Sequence, residues 1–147
     1  MYVTMSVDIK APPERVWEFL VEPEKAKAWF HALEVYEWTS EPSGVGSTFH
    51  WLERSGGREY SIDFETTEWE PPHVFGFTMV GGGFFRSYDE RWEIEATEGG
   101  SRFTFNDRIE FPYGPLGSVI GWFAARQAKD TGAQALAQLK RLAEATD

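Results

Sequence analysis

The 147-residue chain contains no cysteine. That excludes a disulfide framework, a thiol nucleophile and any cysteine-ligated metal. Histidine is nearly absent too. His31, His50 and His73 share no strand face and no metal-ligand spacing, so no metal site is expected. Positive charge is scarce: 14 Lys and Arg stand against 24 Asp and Glu, for a net charge of −10. Nucleic-acid binding needs a basic footprint, so no nucleic-acid partner is expected. No apolar run approaches the roughly 20 residues of a membrane span, and membrane insertion is not expected. No basic segment leads into an apolar run near Met1, and the expected location is the cytoplasm. Repeats, a Gly-x-Ser-x-Gly elbow and a phosphate-binding loop are missing. The Gly81-Gly82-Gly83 triplet leads into no helix, so it cradles no nucleotide. No cofactor is implied, and no sequence feature fixes an oligomeric state.

Aromatic residues are abundant instead, at 16% of the chain, with seven Trp and twelve Phe. Such a composition suits a thick core or a lined cavity. The length favours one domain spanning residues 1–147.

Val3, Met5, Val7 and Ile9 alternate with polar residues and predict a first strand. Pro13-Glu14 and Pro23-Glu24 each suit the first turn of a helix, so two short helices follow, the second ending near Trp29-Phe30. Six strands are predicted near 33–39, 46–54, 58–69, 74–80, 84–97 and 101–111. From Leu116 to about Ala145 there is no proline, and Ala, Leu, Gln, Lys and Arg predict a long terminal helix. One stripe of that helix carries Ala125, Ala128, Gly132, Leu136, Leu139 and Ala143, small residues first and larger ones later. Gly132 weakens a helix by about 1 kcal/mol relative to alanine, and close approach to the sheet is a reason to keep it.

Three double glycines, Gly56-Gly57, Gly82-Gly83 and Gly99-Gly100, punctuate the meander. Read as two-residue hairpin loops, they set Ser55 opposite Arg58, Gly81 opposite Phe84 and Glu98 opposite Ser101. Trp51 then faces Ile62, Phe77 faces Tyr88, and Ile94 faces Phe105. Each pairing joins apolar to apolar on one face of an antiparallel sheet, which the terminal helix must cover.

The opening Val7-Asp8-Ile9-Lys10-Ala11-Pro12-Pro13-Glu14-Arg15-Val16-Trp17-Glu18-Phe19-Leu20, with Pro23-Glu24-Lys25 and Trp29-Phe30, resembles the SRPBCC superfamily. START domains, birch-pollen-allergen-like proteins, polyketide cyclase/dehydrases and chaperone-ATPase-activator homologues belong to that group. The resemblance implies an α+β helix-grip fold: a seven-stranded curved antiparallel sheet around a long C-terminal helix, with a hydrophobic cavity between them. The opening motif identifies scaffold and carries no catalytic residue.

On the derived register the inward face includes Trp51, Tyr60, Ile62, Phe64, Phe75, Phe77, Met79, Tyr88, Trp92, Phe105 and Ile109, which make up the expected ligand-binding lining. Four charged residues share that face: Glu53, Arg86, Glu90 and Asp107. Glu90 falls opposite Ile109 and Asp107 opposite Trp92, so the two carboxylates are diagonal neighbours with Cα atoms on the order of 7 Å apart. Carboxylates so placed beside apolar walls split their pKa values, and one can serve as a general acid or base. Glu90 and Asp107 are therefore the candidate catalytic pair, and the alternatives are neutralisation by Arg126 or a tyrosine in a structural ion network, or a wet cavity. Arg86, across from Met79, is a candidate for a ligand carboxylate or enolate, or for a rim salt bridge with Glu53. His50 pairs with Asp63 on the outer face. The Gly56-Gly57 and Gly81–Gly83 turns, Trp29-Phe30 and the start of the long helix meet at one end, the expected cavity mouth.

The leading functional expectation is binding of a lipid or polyketide-like hydrophobic molecule. A cyclase or dehydratase using Glu90 and Asp107, and a protein-binding adaptor, are the alternatives.

Overall fold

A computed structural model describes residues 1–145. Strand β1 (Tyr2–Ile9) leads into helices α1 (Pro13–Val21) and α2 (Pro23–Trp29). Strands β2 (Leu33–Trp38), β3 (Thr48–Ser55), β4 (Arg58–Glu70), β5 (Val74–Gly82), β6 (Ser87–Thr97) and β7 (Gly100–Glu110) follow, and helix α3 (Gly114–Glu144) comes last. The strands form one antiparallel sheet in the order β1-β7-β6-β5-β4-β3-β2. This is the helix-grip arrangement expected from the sequence.

The two short helices are held by aromatic donors. Both begin with proline at the first helical position, where a missing N–H costs nothing. The carbonyls of the last turn of α1 have no intrahelical partner. The Trp29 indole donates to Phe19 O at 2.8 Å, the Tyr36 hydroxyl to Leu20 O at 3.2 Å and the Trp38 indole to Val21 O at 3.0 Å. These bonds lock α1 and α2 onto β2 and fix Trp29 at one end of the concave face.

The first glycine hairpin has the register expected, with Ser55 opposite Arg58 and Trp51 opposite Ile62. His50 meets Asp63 at 2.8 Å on the outer side. The other two hairpins each differ by two residues. Phe77 pairs with Glu90 rather than Tyr88, and Ile94 pairs with Phe103 rather than Phe105. The reason lies in what the glycines touch. Strand β5 runs on through Gly82, where φ is +84° and an added Cβ would sit 2.4 Å from Ser61 O of β4. Gly82 thus serves backbone approach to β4, and the β5–β6 connection becomes the longer Gly83–Arg86. Gly100, with φ of +150°, would place a Cβ 2.3 Å from Ile9 O of β1. It serves the β1–β7 contact, and the turn moves back to Glu98-Gly99, with Thr97 opposite Gly100.

Both shifts are even. A strand's side chains alternate with period two, so every inward residue stays inward while its partner changes. The correction matters at one place: Glu90 lies directly opposite Asp107 rather than diagonal to it.

Helix α3 lies along the concave face and divides it. Its C-terminal half is packed down, with Ala135, Leu136, Leu139 and Ala143 buried. A Cβ on Gly132 would meet Met5 Sδ at 2.9 Å and Phe105 Cζ at 3.1 Å, so the glycine does permit close approach. The Arg15 guanidinium donates to Ala143 O at 2.9 Å and Ala145 O at 3.0 Å, closing the C-terminal end. The N-terminal half stands off the sheet: Gly117 and Gly121 are buried beside Pro112 and Phe111, but Leu116, Val119, Trp122 and Phe123 are exposed.

Candidate functional site

The space beneath the lifted half of α3 is a cavity of about 680 Å³. Trp29, Phe30, Trp92 and Phe105 form its inner wall, and Phe84, Phe85, Phe111 and Tyr113 stand around its mouth. From α3 it receives the small side of the helix: Ala124, Ala128, Gly132 and Ala135, with Ile120 and Phe123 nearer the opening. The sequence stripe that begins small and ends large is therefore what leaves room at one end and fills the other.

Of the eleven expected lining residues and Arg86, twelve candidate ligand contacts in all, five are on this wall: Tyr60, Tyr88, Trp92, Phe105 and Ile109. Seven are not. Trp51, Ile62, Phe64, Phe75 and Phe77 are at most 1% exposed and belong to a solid aromatic core beside the cavity. Rings there touch one another, with centroids 5.0 Å apart for Phe49–Phe77 and 4.9 Å for Phe64–Phe77. Met79 is half-buried off the cavity, and Arg86 is exposed in the β5–β6 connection. The sequence assigned the correct face to the first five, but facing inward does not distinguish a packed side chain from a cavity wall. Arg86 falls outside because the longer connection replaces the two-residue hairpin in which it would have been a strand residue. The same connection places Phe84 and Phe85 at the mouth, two residues the sequence reading missed. Tyr60 packs on Phe85 at 5.1 Å and Phe85 on Phe111 at 5.6 Å.

The cavity has one polar wall. Glu53 from β3, Tyr88 and Glu90 from β6, and Asp107 from β7 all line it. Glu53 and Glu90 are buried. The Tyr88 hydroxyl lies 3.1 Å from Glu53 Oε1 and 3.3 Å from Glu90 Oε1. It has one proton to donate, so it satisfies one of these carboxyls at a time. The expected rim salt bridge between Arg86 and Glu53 is replaced by this internal contact. Among the described residues none of the three carboxyls has a Lys, Arg or His partner. Arg126 stacks on Trp122 outside the cavity.

Burial without a cation raises all three. Glu53 is pushed up to about 7, first by desolvation and then by the charge of Asp107, while the Tyr88 hydrogen bond pulls it down. Asp107 is pushed up to about 6 by desolvation, against a hydrogen bond from Glu90 that lowers it. Glu90 is raised well above the usual carboxylate range, by desolvation, by the Asp107 charge and by the hydrogen bond it makes with Asp107. The directions agree on one arrangement near neutral pH. Glu90 keeps its proton and donates to an ionised Asp107, while Tyr88 donates to Glu53. A carboxylic acid and a carboxylate side by side on an apolar wall form a matched proton donor and acceptor. Asp107 Oδ1 is buried and has no hydrogen-bond partner among the described residues. The sequence set Glu53 on this inward face with Glu90 and Asp107 and offered it a rim salt bridge with Arg86; its link to the pair through Tyr88 is what the sequence did not show.

The fold has counterparts in known proteins. The aromatase/cyclase Zhui from Streptomyces sp. R1128 superposes with a TM-score of 0.82 at 13% identity, over 98% of this chain and 93% of that one. TTHA0849 from Thermus thermophilus also gives 0.82, at 19% identity over 97% of each chain. At those identities the likeness is one of fold. In sequence, the Mycobacterium tuberculosis protein Rv1546 (strain H37Rv) is 30% identical over 148 aligned residues, covering 95% of this chain and 96% of the relative. The family model described as polyketide cyclase / dehydrase and lipid transport matches residues 2–144, and the chain belongs to that family.

Proposed function

We propose that this protein binds a hydrophobic small molecule, of lipid or aromatic polyketide type, in the cavity beneath the N-terminal half of α3. The supporting observation is the cavity itself: about 680 Å³, walled by aromatic rings and carrying a single polar side. Ligand pockets fall in this size range and have this balance of apolar wall and few polar groups. The family's description points to the same ligand class. Tyr60, Tyr88, Trp92, Phe105 and Ile109 contact the ligand, joined by Phe84 and Phe85 at the mouth. Exposed Trp122 packs on Phe123, which lines the cavity, with ring centroids 4.8 Å apart, so the exposed apolar surface of α3 reaches the mouth. That continuity supports ligand passage over a separate adaptor surface. The net charge of −10 argues against nucleic acid, and we place the protein in the cytoplasm.

A second reading is favoured by one observation, the direct opposition of Glu90 and Asp107. In it the protein is a cyclase or dehydratase. Asp107 removes a proton next to a ligand ketone, and the acid form of Glu90 returns one to the developing alkoxide or departing hydroxyl. Such proton transfers contribute about 10²–10⁴ in rate.

The test uses an environment-sensitive apolar dye. Wild-type protein should bind it, and Phe85→Ala should change the affinity in protein that stays folded. Dye bound equally by both, or by neither, places ligand binding elsewhere. For the second reading, Glu90→Gln should abolish turnover of a poly-β-ketone while retaining its binding. Turnover kept in that variant removes Glu90 from the chemistry.

A further inference from the structure

The three carboxyls of the cavity wall face almost no positive charge. Glu53 comes from β3, Tyr88 and Glu90 from β6, Asp107 from β7, Tyr60 and Arg58 from β4, and Gln127 and Thr131 from α3. Arg58 is the one Lys or Arg on the lining, and its guanidinium stacks on the Phe84 ring, 5.3 Å from the centroid, at the mouth. Met1 also lines the cavity, and its amino group donates to Ile109 O at 2.7 Å. Asp107 Oδ1 is buried without a partner among the described residues. A buried carboxylate oxygen left unpaired is costly, and a group that satisfies it recovers that cost. Among the described residues no three acidic or imidazole side chains come together closely enough to hold a metal ion. A ligand donor can take that place from solvent. An ammonium supplies three N–H donors and a full charge, and the aromatic residues Trp29, Phe30 and Trp92 line the same cavity.

We propose that the ligand selected by this cavity is a hydrophobic amine, its ammonium seated against Asp107 and Glu53 and its apolar body lying between the aromatic walls and α3. This rests on the reading that the cavity is the ligand site, and it names the substrate class. A carboxylate ligand would meet like charge at the same wall. A neutral hydroxyl could donate to Asp107 but would leave its charge uncompensated. Seating the cation holds Asp107 and Glu53 in their ionised forms, so binding near neutral pH releases protons to solvent.

The experiment is calorimetric titration of the full chain with naphthylethylamine, naphthylethanol and naphthylacetic acid near pH 7, in two buffers of different ionisation enthalpy. The amine is expected to bind roughly 10- to 100-fold more tightly than the alcohol, the range of a charge-assisted hydrogen bond. The acid is expected to bind most weakly. The amine's apparent enthalpy should differ between buffers in the direction of proton release. Asp107→Asn combined with Glu53→Gln should erase the preference for amine over alcohol. Both replacements are near-isosteric and remove buried charge, and a thermal melt confirms that the variant folds. Alcohol bound as tightly as amine, or a preference that survives the double variant, overturns the amine proposal and leaves the cavity as a site for neutral ligands. If none of the three probes binds, the amine proposal and the cavity reading both fail.

Discussion

Replacing Glu53 by glutamine should make the protein more stable in alkaline solution and hardly change it in acid. The Glu53 carboxyl titrates at about 7 in the fold against an ordinary value of 4.5. A carboxyl whose folded pKa is raised binds its proton more tightly in the native chain than in the unfolded one, so stability falls as pH rises from about 4.5 through about 7. Each unit is worth about 1.4 kcal/mol, which makes the full penalty about 3 kcal/mol at pH 8. Around pH 5 the native group is protonated and the penalty is below about 1 kcal/mol. Glutamine carries neither penalty. Its carbonyl can accept the Tyr88 hydroxyl, while its extra N–H groups cost about 1 kcal/mol if unmatched. That cost is the same at both pH values. The advantage of Glu53→Gln over wild type should therefore grow by about 2–3 kcal/mol between pH 5 and pH 8. For a chain of this size that is roughly 6–10 °C in melting temperature. Paired thermal melts by circular dichroism at the two pH values measure it. A gap that stays constant within about 0.5 kcal/mol would mean that Glu53 ionises normally in the fold, and the uncompensated acidic wall would not exist.

Two further outcomes follow from the division of the concave face. Gly132→Leu adds a side chain where Met5 and Phe105 already stand, 2.9 and 3.1 Å from an added Cβ; urea unfolding should show a loss of about 1–3 kcal/mol despite the gain in helix propensity. Phe64→Ala, in the solid aromatic core, should cost about 3–5 kcal/mol and leave dye affinity unchanged in the folded fraction, whereas Phe85→Ala should do the reverse. Phe64→Ala altering dye affinity as much as Phe85→Ala would mean that the cavity and the core are one space.

Alternation of apolar and polar residues carried the fold, because each strand buries one face and period two cannot be mistaken over a long strand. Proline placed both short helices, since it is tolerated only in their first turn. The hairpin registers were less legible. A double glycine is compatible with a tight turn, but Gly82 and Gly100 are required where a neighbouring strand's carbonyl comes within 2.4 Å of an added Cβ. That requirement belongs to tertiary packing and leaves no local mark. The lining was half legible for a related reason. Trp51 and Trp92 have the same parity and touch each other, yet only Trp92 also borders the cavity, a difference set by where α3 leaves space.

The error of two residues at each hairpin left the chemistry sharper than the sequence had it. An odd slip would have moved Glu90 or Asp107 to the outer face, where water screens a carboxylate and its pKa stays ordinary. The even slip kept both inside and reduced their Cα separation from the order of 7 Å, expected of diagonal neighbours, to the roughly 4.5–5.5 Å of residues directly opposed. At the shorter distance two buried carboxylates cannot both ionise without a cation, and the proton held by Glu90 is the consequence. Glu53 joins them because Tyr88, two residues from Glu90 on the same face of β6, bridges to it across the curl of the sheet. The acidic wall is thus set by strand parity and sheet curvature together. Parity can be read along the chain, but curvature is a property of the closed sheet. That is why two of the three carboxyls were legible as a pair, while the third was legible on the same face but not as their neighbour.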